Sequence, residues 1–196
     1  MNVVLVDAGG TNIGSVRYAL QRLGVDACLT SDADEIRSAD KVILPGVGAA
    51  GPGMARLREL QLIDVIRSLS QPVLGVCLGM QLLCEHSEEG DTPCLGVIPA
   101  KVHRFEEAPG QCVPHMGWNR LSAVAAHPLL KQMNEGDWAY FVHSYAVPLG
   151  TYTLVSTDYG KGFSSVIGHR NFHGMQFHPE RSASVGATLL KNFLEL

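Results

Sequence analysis

The chain has 196 residues, with 15 lysines and arginines against 19 aspartates and glutamates and a formal net charge of −4. Hydrophobic residues make up 46% and charged residues 17%, which suits a compact globular chain and excludes an intrinsically disordered one. Basic residues are scattered rather than clustered, so no footprint for nucleic acid is present, and no apolar run approaches the roughly 20 residues that cross a bilayer. The first residues are apolar and carry no basic leader, so a cytoplasmic address is expected.

Strand and helix signals alternate through the first half. Residues 2–7 form a valine-rich run ended by the turn Gly9-Gly10-Thr11-Asn12. A helical stretch over 16–23 and a short strand over 26–30 follow. Residues 41–44 form a buried strand stopped by Pro45 and Gly46, and apolar residues recur at roughly helical spacing over 54–69. A strand over 72–76 leads into a helix over 79–85. Strands separated by helices imply crossover connections and a largely parallel sheet covered on both faces. Between residues 96 and 162 strand signals become denser, at 96–105, 118–124, 140–145 and 151–157, as expected of antiparallel strands added to an α/β core. Residues 174–177 read as a final strand, and Ser182 or Ser184 is placed to cap a last helix that buries Leu189, Leu190, Phe193 and Leu194. No repeat or linker divides the chain, and a single domain over 1–196 is expected.

Five cysteines, Cys28, Cys77, Cys84, Cys94 and Cys112, show no closely spaced pair. Neither a disulfide framework nor a zinc site is expected, and nothing requires a cofactor. An isolated cysteine is most often a small buried hydrophobe. Cys77 differs because it stands in Gly75-Val76-Cys77-Leu78-Gly79, where a buried strand should turn into a helix. Such a turn exposes the central side chain and needs small residues on either side. The helix start supplies free N–H groups for a thiolate and a developing oxyanion.

A nucleophilic cysteine needs a base and a group to orient that base. Eight histidines make any one of them weak evidence. His178 stands out in Gln176-Phe177-His178-Pro179-Glu180, which follows a strand end and so can reach the sheet edge where Cys77 lies. Glu180 can accept from one imidazole nitrogen while the other faces the sulfur. Leu44-Pro45-Gly46-Val47-Gly48 also follows a strand, and its glycines allow backbone N–H groups to approach a substrate closely. It lacks the lysine of a phosphate-binding loop.

Taken together, 75–79, 45–48 and 177–180 resemble the class I, or triad, glutamine amidotransferases, in that family's order along the chain. Pro114-His115-Met116-Gly117-Trp118-Asn119 and Tyr140-Phe141-Val142-His143-Ser144-Tyr145 resemble one branch of it, the glutaminase subunits of imidazole glycerol phosphate synthases. The resemblance runs from Asp7 to the C-terminus. It implies the α/β class I amidotransferase fold: a mostly parallel central sheet, flanking helices and added antiparallel strands. It further implies that Cys77 attacks the glutamine amide, that His178 serves as acid and base, and that Glu180 holds the imidazole. By the same resemblance, backbone near Gly48 and Leu78 forms the oxyanion hole. Gln81, Glu89 and the backbone of Ser144 and Tyr145 hold glutamine. Asn12, Trp118, Tyr140 and Arg181 face the partner, a (β/α)8-barrel cyclase that consumes the ammonia. No metal is implied. Other readings remain: another glutaminase subunit of the class, a cysteine peptidase or γ-glutamyl hydrolase of similar fold, and a binding module without catalysis.

Overall fold

The computed structural model describes residues 1–9, 13–46 and 48–196. In chain order the first half contains β1 (Val3–Val6), α1 (Ile13–Arg22), β2 (Cys28–Thr30), α2 (Ala33–Ser38), β3 (Lys41–Gly46), α3 (Ala50–Glu59), α4 (Ile63–Arg67), β4 (Val73–Cys77) and α5 (Leu78–Leu82). The second half contains β5 (His86–Ser87), β6 (Thr92–Pro93), β7 (Lys101–Arg104), β8 (His115–Val124), β9 (Trp138–His143), β10 (Tyr145–Pro148), β11 (Thr153–Tyr159), β12 (Lys161–His169), β13 (Phe172–Met175) and α6 (Ala183–Glu195). Short 3-10 turns occupy Pro128–Leu130 and Pro179–Arg181.

β2, β1, β3, β4 and β13 lie side by side in that order, each parallel to its neighbour. From β13 outward the sheet continues with antiparallel β12, to which β10 and β11 pair, and β11 carries the β8–β9 ladder. The parallel strands are buried on both faces. Along β1, Val4 and Val6 enter one apolar cluster and Val3 and Leu5 the other; Val42 and Leu44 of β3 join the first, Ile43 the second. This alternation follows from the two-residue side-chain period of a strand. The first cluster packs under α2 to α5, and the second takes in Leu189, Leu190 and Phe193 of α6. Leu194 is half-buried at the margin of the second cluster.

Several boundaries differ from expectation for identifiable reasons. The helical stretch expected over 54–69 is two helices, because Gln61 adopts φ 56°. Leu62 N donates to Leu57 O and Gln61 N to Arg58 O, a Schellman closure with glutamine where glycine is usual. The strand expected over 96–105 is confined to β7, and the run over 140–145 is cut at Ser144 into β9 and β10. β12 had no sequence expectation. Its buried Ser164 and Ser165 interrupt the apolar pattern, and they are accommodated because their hydroxyls bond Pro148 O and Val155 O. The final strand lies two residues earlier than expected, at Phe172–Met175, which leaves Gln176, Phe177 and His178 to leave the sheet edge.

Candidate active site

Cys77 ends β4, and its backbone is at φ 54°, ψ −112°, a region that side-chain-bearing residues rarely enter. That conformation is imposed by close packing around the bend. A Cβ on Gly75 would lie 2.6 Å from Gly79 O and Met80 N, and one on Gly46 would lie 2.7 Å from Leu78 C. A Cβ on Gly79 would fall directly on Leu44 O. The ends of β3 and β4 therefore touch the first turn of α5 backbone to backbone. The outcome is a half-buried thiol held at the C-terminal edge of the sheet.

The last strand brings His178. β13 runs parallel to β4 with Met175 opposite Val76, so the residues following each strand emerge together. His178 Nδ1 donates to Glu180 Oε1 at 3.1 Å, with side chains only 13% and 5% exposed. Burial acts to lower the imidazole pKa, but its hydrogen bonds to Cys77 and Glu180 and their charges outweigh it and raise His178 to about 10. The two partners thus favour the protonated imidazole. The segment is pinned to β9: His178 N donates to Tyr140 O at 3.0 Å, Tyr140 N donates to Ser182 Oγ at 2.9 Å, and Ser182 Oγ donates to His178 O at 2.7 Å. Ser182 was expected as a possible helix cap, yet its hydroxyl is spent on this clamp.

The other thiols lie in different surroundings. Burial pushes Cys84 far above the ordinary thiol range and Cys94 up to about 11, while Cys28 and Cys112 are exposed. Among the described residues no group of three or more His, Cys, Asp or Glu side chains is arranged to hold a metal ion, and no helix is long and apolar enough to cross a membrane.

The family model described as "Glutamine amidotransferase class-I" matches residues 4–196. The chain belongs to that family. A protein of Xylella fastidiosa named "Imidazole glycerol phosphate synthase subunit HisH" is 56% identical over 194 residues, spanning 99% of this chain and 97% of the relative. A protein of the same name from Idiomarina loihiensis is 53% identical, spanning 100% and 98%. Among solved structures, one described as a glutamine amidotransferase superposes with a TM-score of 0.77 at 21% identity, covering 100% of this chain and 98% of that one; it supports the fold.

In this amidotransferase the remaining predicted positions fall around the elbow with varied surroundings. Gly46 is paired with Cys77 across β3 and β4; Gly48 has φ +92°, and Leu78 opens α5 immediately after Cys77. Gln81 is buried, and its Nε2 donates to Tyr145 O at 3.0 Å and Gln176 Oε1 at 2.9 Å. Glu89 is half-buried, and its Oε2 accepts from Ala50 N at 2.8 Å, tying its loop to the start of α3. Its neighbour Glu88 is exposed and bonds His103 and Arg104 instead. Ser144 O accepts from Phe105 N, and Tyr145 O from both Gln81 and His143.

Trp118, Tyr140 and Arg181 come together on one surface. Trp118 is 50% exposed, its ring is 5.9 Å from that of Tyr140, and the Arg181 guanidinium lies 4.3 Å over the Tyr140 ring. Aromatic residues on strands are usually core; here Trp118 and Trp138 face outward, as does Met116. Asn12 lies outside the described residues. Sequence reasoning assigned nothing to Gln176, whose Nε2 donates to Cys77 Sγ at 3.8 Å. An amide inside an otherwise apolar run just before the histidine was the available signal.

Proposed function

We propose that this chain is the glutaminase subunit of a cytoplasmic imidazole glycerol phosphate synthase. It hydrolyses glutamine to glutamate and ammonia. The ammonia passes to a separate (β/α)8-barrel cyclase, which forms imidazole glycerol phosphate and aminoimidazole carboxamide ribotide in histidine biosynthesis. The relatives' names support the partner and pathway. The observation that carries the chemistry is the pairing of Cys77, at its strained bend, with a Glu180-bound His178 just beyond the end of the adjacent strand.

In this reading Cys77 Sγ attacks the side-chain amide carbon of glutamine. The electron pair shifts to the amide oxygen, which is received by backbone N–H groups near Gly48 and at Leu78. His178 gives its proton to the departing nitrogen, the C–N bond breaks, and ammonia leaves behind a γ-glutamyl thioester. His178 then takes a proton from water. The resulting hydroxide attacks the thioester carbon, the C–S bond breaks, and glutamate departs. Glu180 keeps the Nδ1 proton in place so that Nε2 serves both steps. Glu89 and the Gln81 carbonyl meet the polar end of the substrate beside the Ser144–Tyr145 backbone. Trp118, Tyr140 and Arg181 form the face toward the cyclase.

With the barrel cyclase present, Cys77→Ala is expected to abolish glutamine-dependent synthesis and to leave synthesis from added ammonium salt intact. Equal loss of both would refute the assignment. Cleavage of γ-glutamyl peptides in preference to glutamine would favour a hydrolase of similar fold.

A further inference from the structure

Cys77 is held from a second side, by a set of groups whose orientation is chemically determined. Tyr145 O is a carbonyl and can only accept, so the Gln81 atom 3.0 Å from it must be the amide nitrogen. The same nitrogen lies 2.9 Å from the Gln176 side chain and must donate there too, which makes the Gln176 atom it meets the oxygen. Gln176 is then left with its NH2 group facing Cys77 Sγ at 3.8 Å. Gln176 is fully buried and Gln81 is 4% exposed, so water does not compete for these bonds. Tyr145 O is fixed in turn by His143 Nδ1 at 2.8 Å; His143 Nε2 therefore accepts, and His115 Nδ1 donates to it at 3.0 Å. Burial holds both imidazoles neutral, which this pattern needs.

We infer that Gln176 is a positioning residue for the nucleophile: its amide, locked by Gln81 and the Tyr145 carbonyl, fixes the Cys77 side chain toward His178 and favours its charged form. An N–H donor meets a thiolate better than a thiol, whose sulfur is a weak acceptor. The role differs from that of His178, because the amide exchanges no proton. It rests on the proposed glutaminase reading for its catalytic consequence, but the effect on the sulfur stands independently of substrate.

The test uses the full chain with two substitutions. Gln176→Met keeps the shape and removes the amide. Gln176→Glu keeps the oxygen that Gln81 bonds and puts a carboxylate where the donor stood. Iodoacetamide alkylation, followed by mass spectrometry of the peptide containing Cys77, reads the sulfur across pH 6–9. Loss of a hydrogen bond to a charged group should slow alkylation at neutral pH by about 10-fold and move the rate–pH curve to higher pH in both variants. Glutaminase kcat, measured with the cyclase, should fall by a similar factor while KM changes little. If Gln176→Met melts early by circular dichroism, Gln176→Glu is the variant that decides. Wild-type alkylation curves, or a raised KM with unchanged kcat, would overturn the inference. A wild-type protein that alkylates readily but does not hydrolyse glutamine would instead overturn the glutaminase reading.

Discussion

Replacing Gly79 by alanine tests whether the bend at Cys77 is made by backbone packing. The added methyl would fall on Leu44 O, 2.9 Å from Leu44 C and 3.3 Å from Pro45 C. Carbon atoms pack best at about 3.5–4.0 Å, so β3 and α5 must separate by an ångström or more. β3 cannot yield easily, because β1 and β4 hold it on both edges. Overpacking costs about 1–3 kcal/mol when side chains absorb it. Here the obstacle is main chain, so about 3 kcal/mol or more is expected from the same principle. A shift of about 1 Å at the nucleophile should also lower glutaminase activity on the order of 100-fold. Gly51→Ala is the control: it lies in α3, and the nearest atom to an added Cβ is Thr92 Oγ1 at 3.6 Å. That change should stabilise by about 0.5–1 kcal/mol through backbone entropy. Urea denaturation followed by circular dichroism, together with glutamate release in the presence of the cyclase, measures both. A Gly79→Ala protein within about 1 kcal/mol of wild type and with undiminished activity would refute the packing account.

The strain at Cys77 predicts that Cys77→Gly is more stable than Cys77→Ala by about 1 kcal/mol or more, although both are inactive, because only glycine enters φ 54°, ψ −112° without penalty; equal urea midpoints would count against stored strain. Acid stability should be set by His115, His143 and His173, which burial holds down to about 4, 3 and 4. In the unfolded chain these titrate near 6.5, so between about pH 6.5 and 4 the unfolded state binds the extra protons and stability falls with pH, by up to about 1.4 kcal/mol per unit for each histidine. His178 acts in the opposite sense: its contribution is complete below about 6.5 and is lost as pH rises through about 10. Denaturation series from pH 7 to 5 check the acid limb, where an unchanged midpoint would exclude it.

The elbow was legible because its requirement is local: residues two before and two after the sulfur must be small, and Gly75 and Gly79 state this openly. His178 and Glu180 were legible because both lie on one short turn after a strand. The alternating first half of the chain also announced the parallel sheet. What escaped depends on partners distant in sequence. Gln176 looks like any polar residue until β13 is set beside β4, and Ser182 looks like a cap until Tyr140 arrives. β12 was hidden because its buried serines are satisfied by other strands. Gln61 broke a helix in a conformation usually announced by glycine. Glu89 sat in an acidic pair whose members diverge, one to His103 and Arg104 and one to the start of α3.

The position of β13 has a consequence for biogenesis. It is the last strand in the chain, yet it occupies an inner place between β4 and β12. A ribosome delivers Cys77 long before it delivers this strand, and the half-made sheet must wait with two open edges. Until β13 slots into that gap, His178 and Gln176 are not brought beside Cys77.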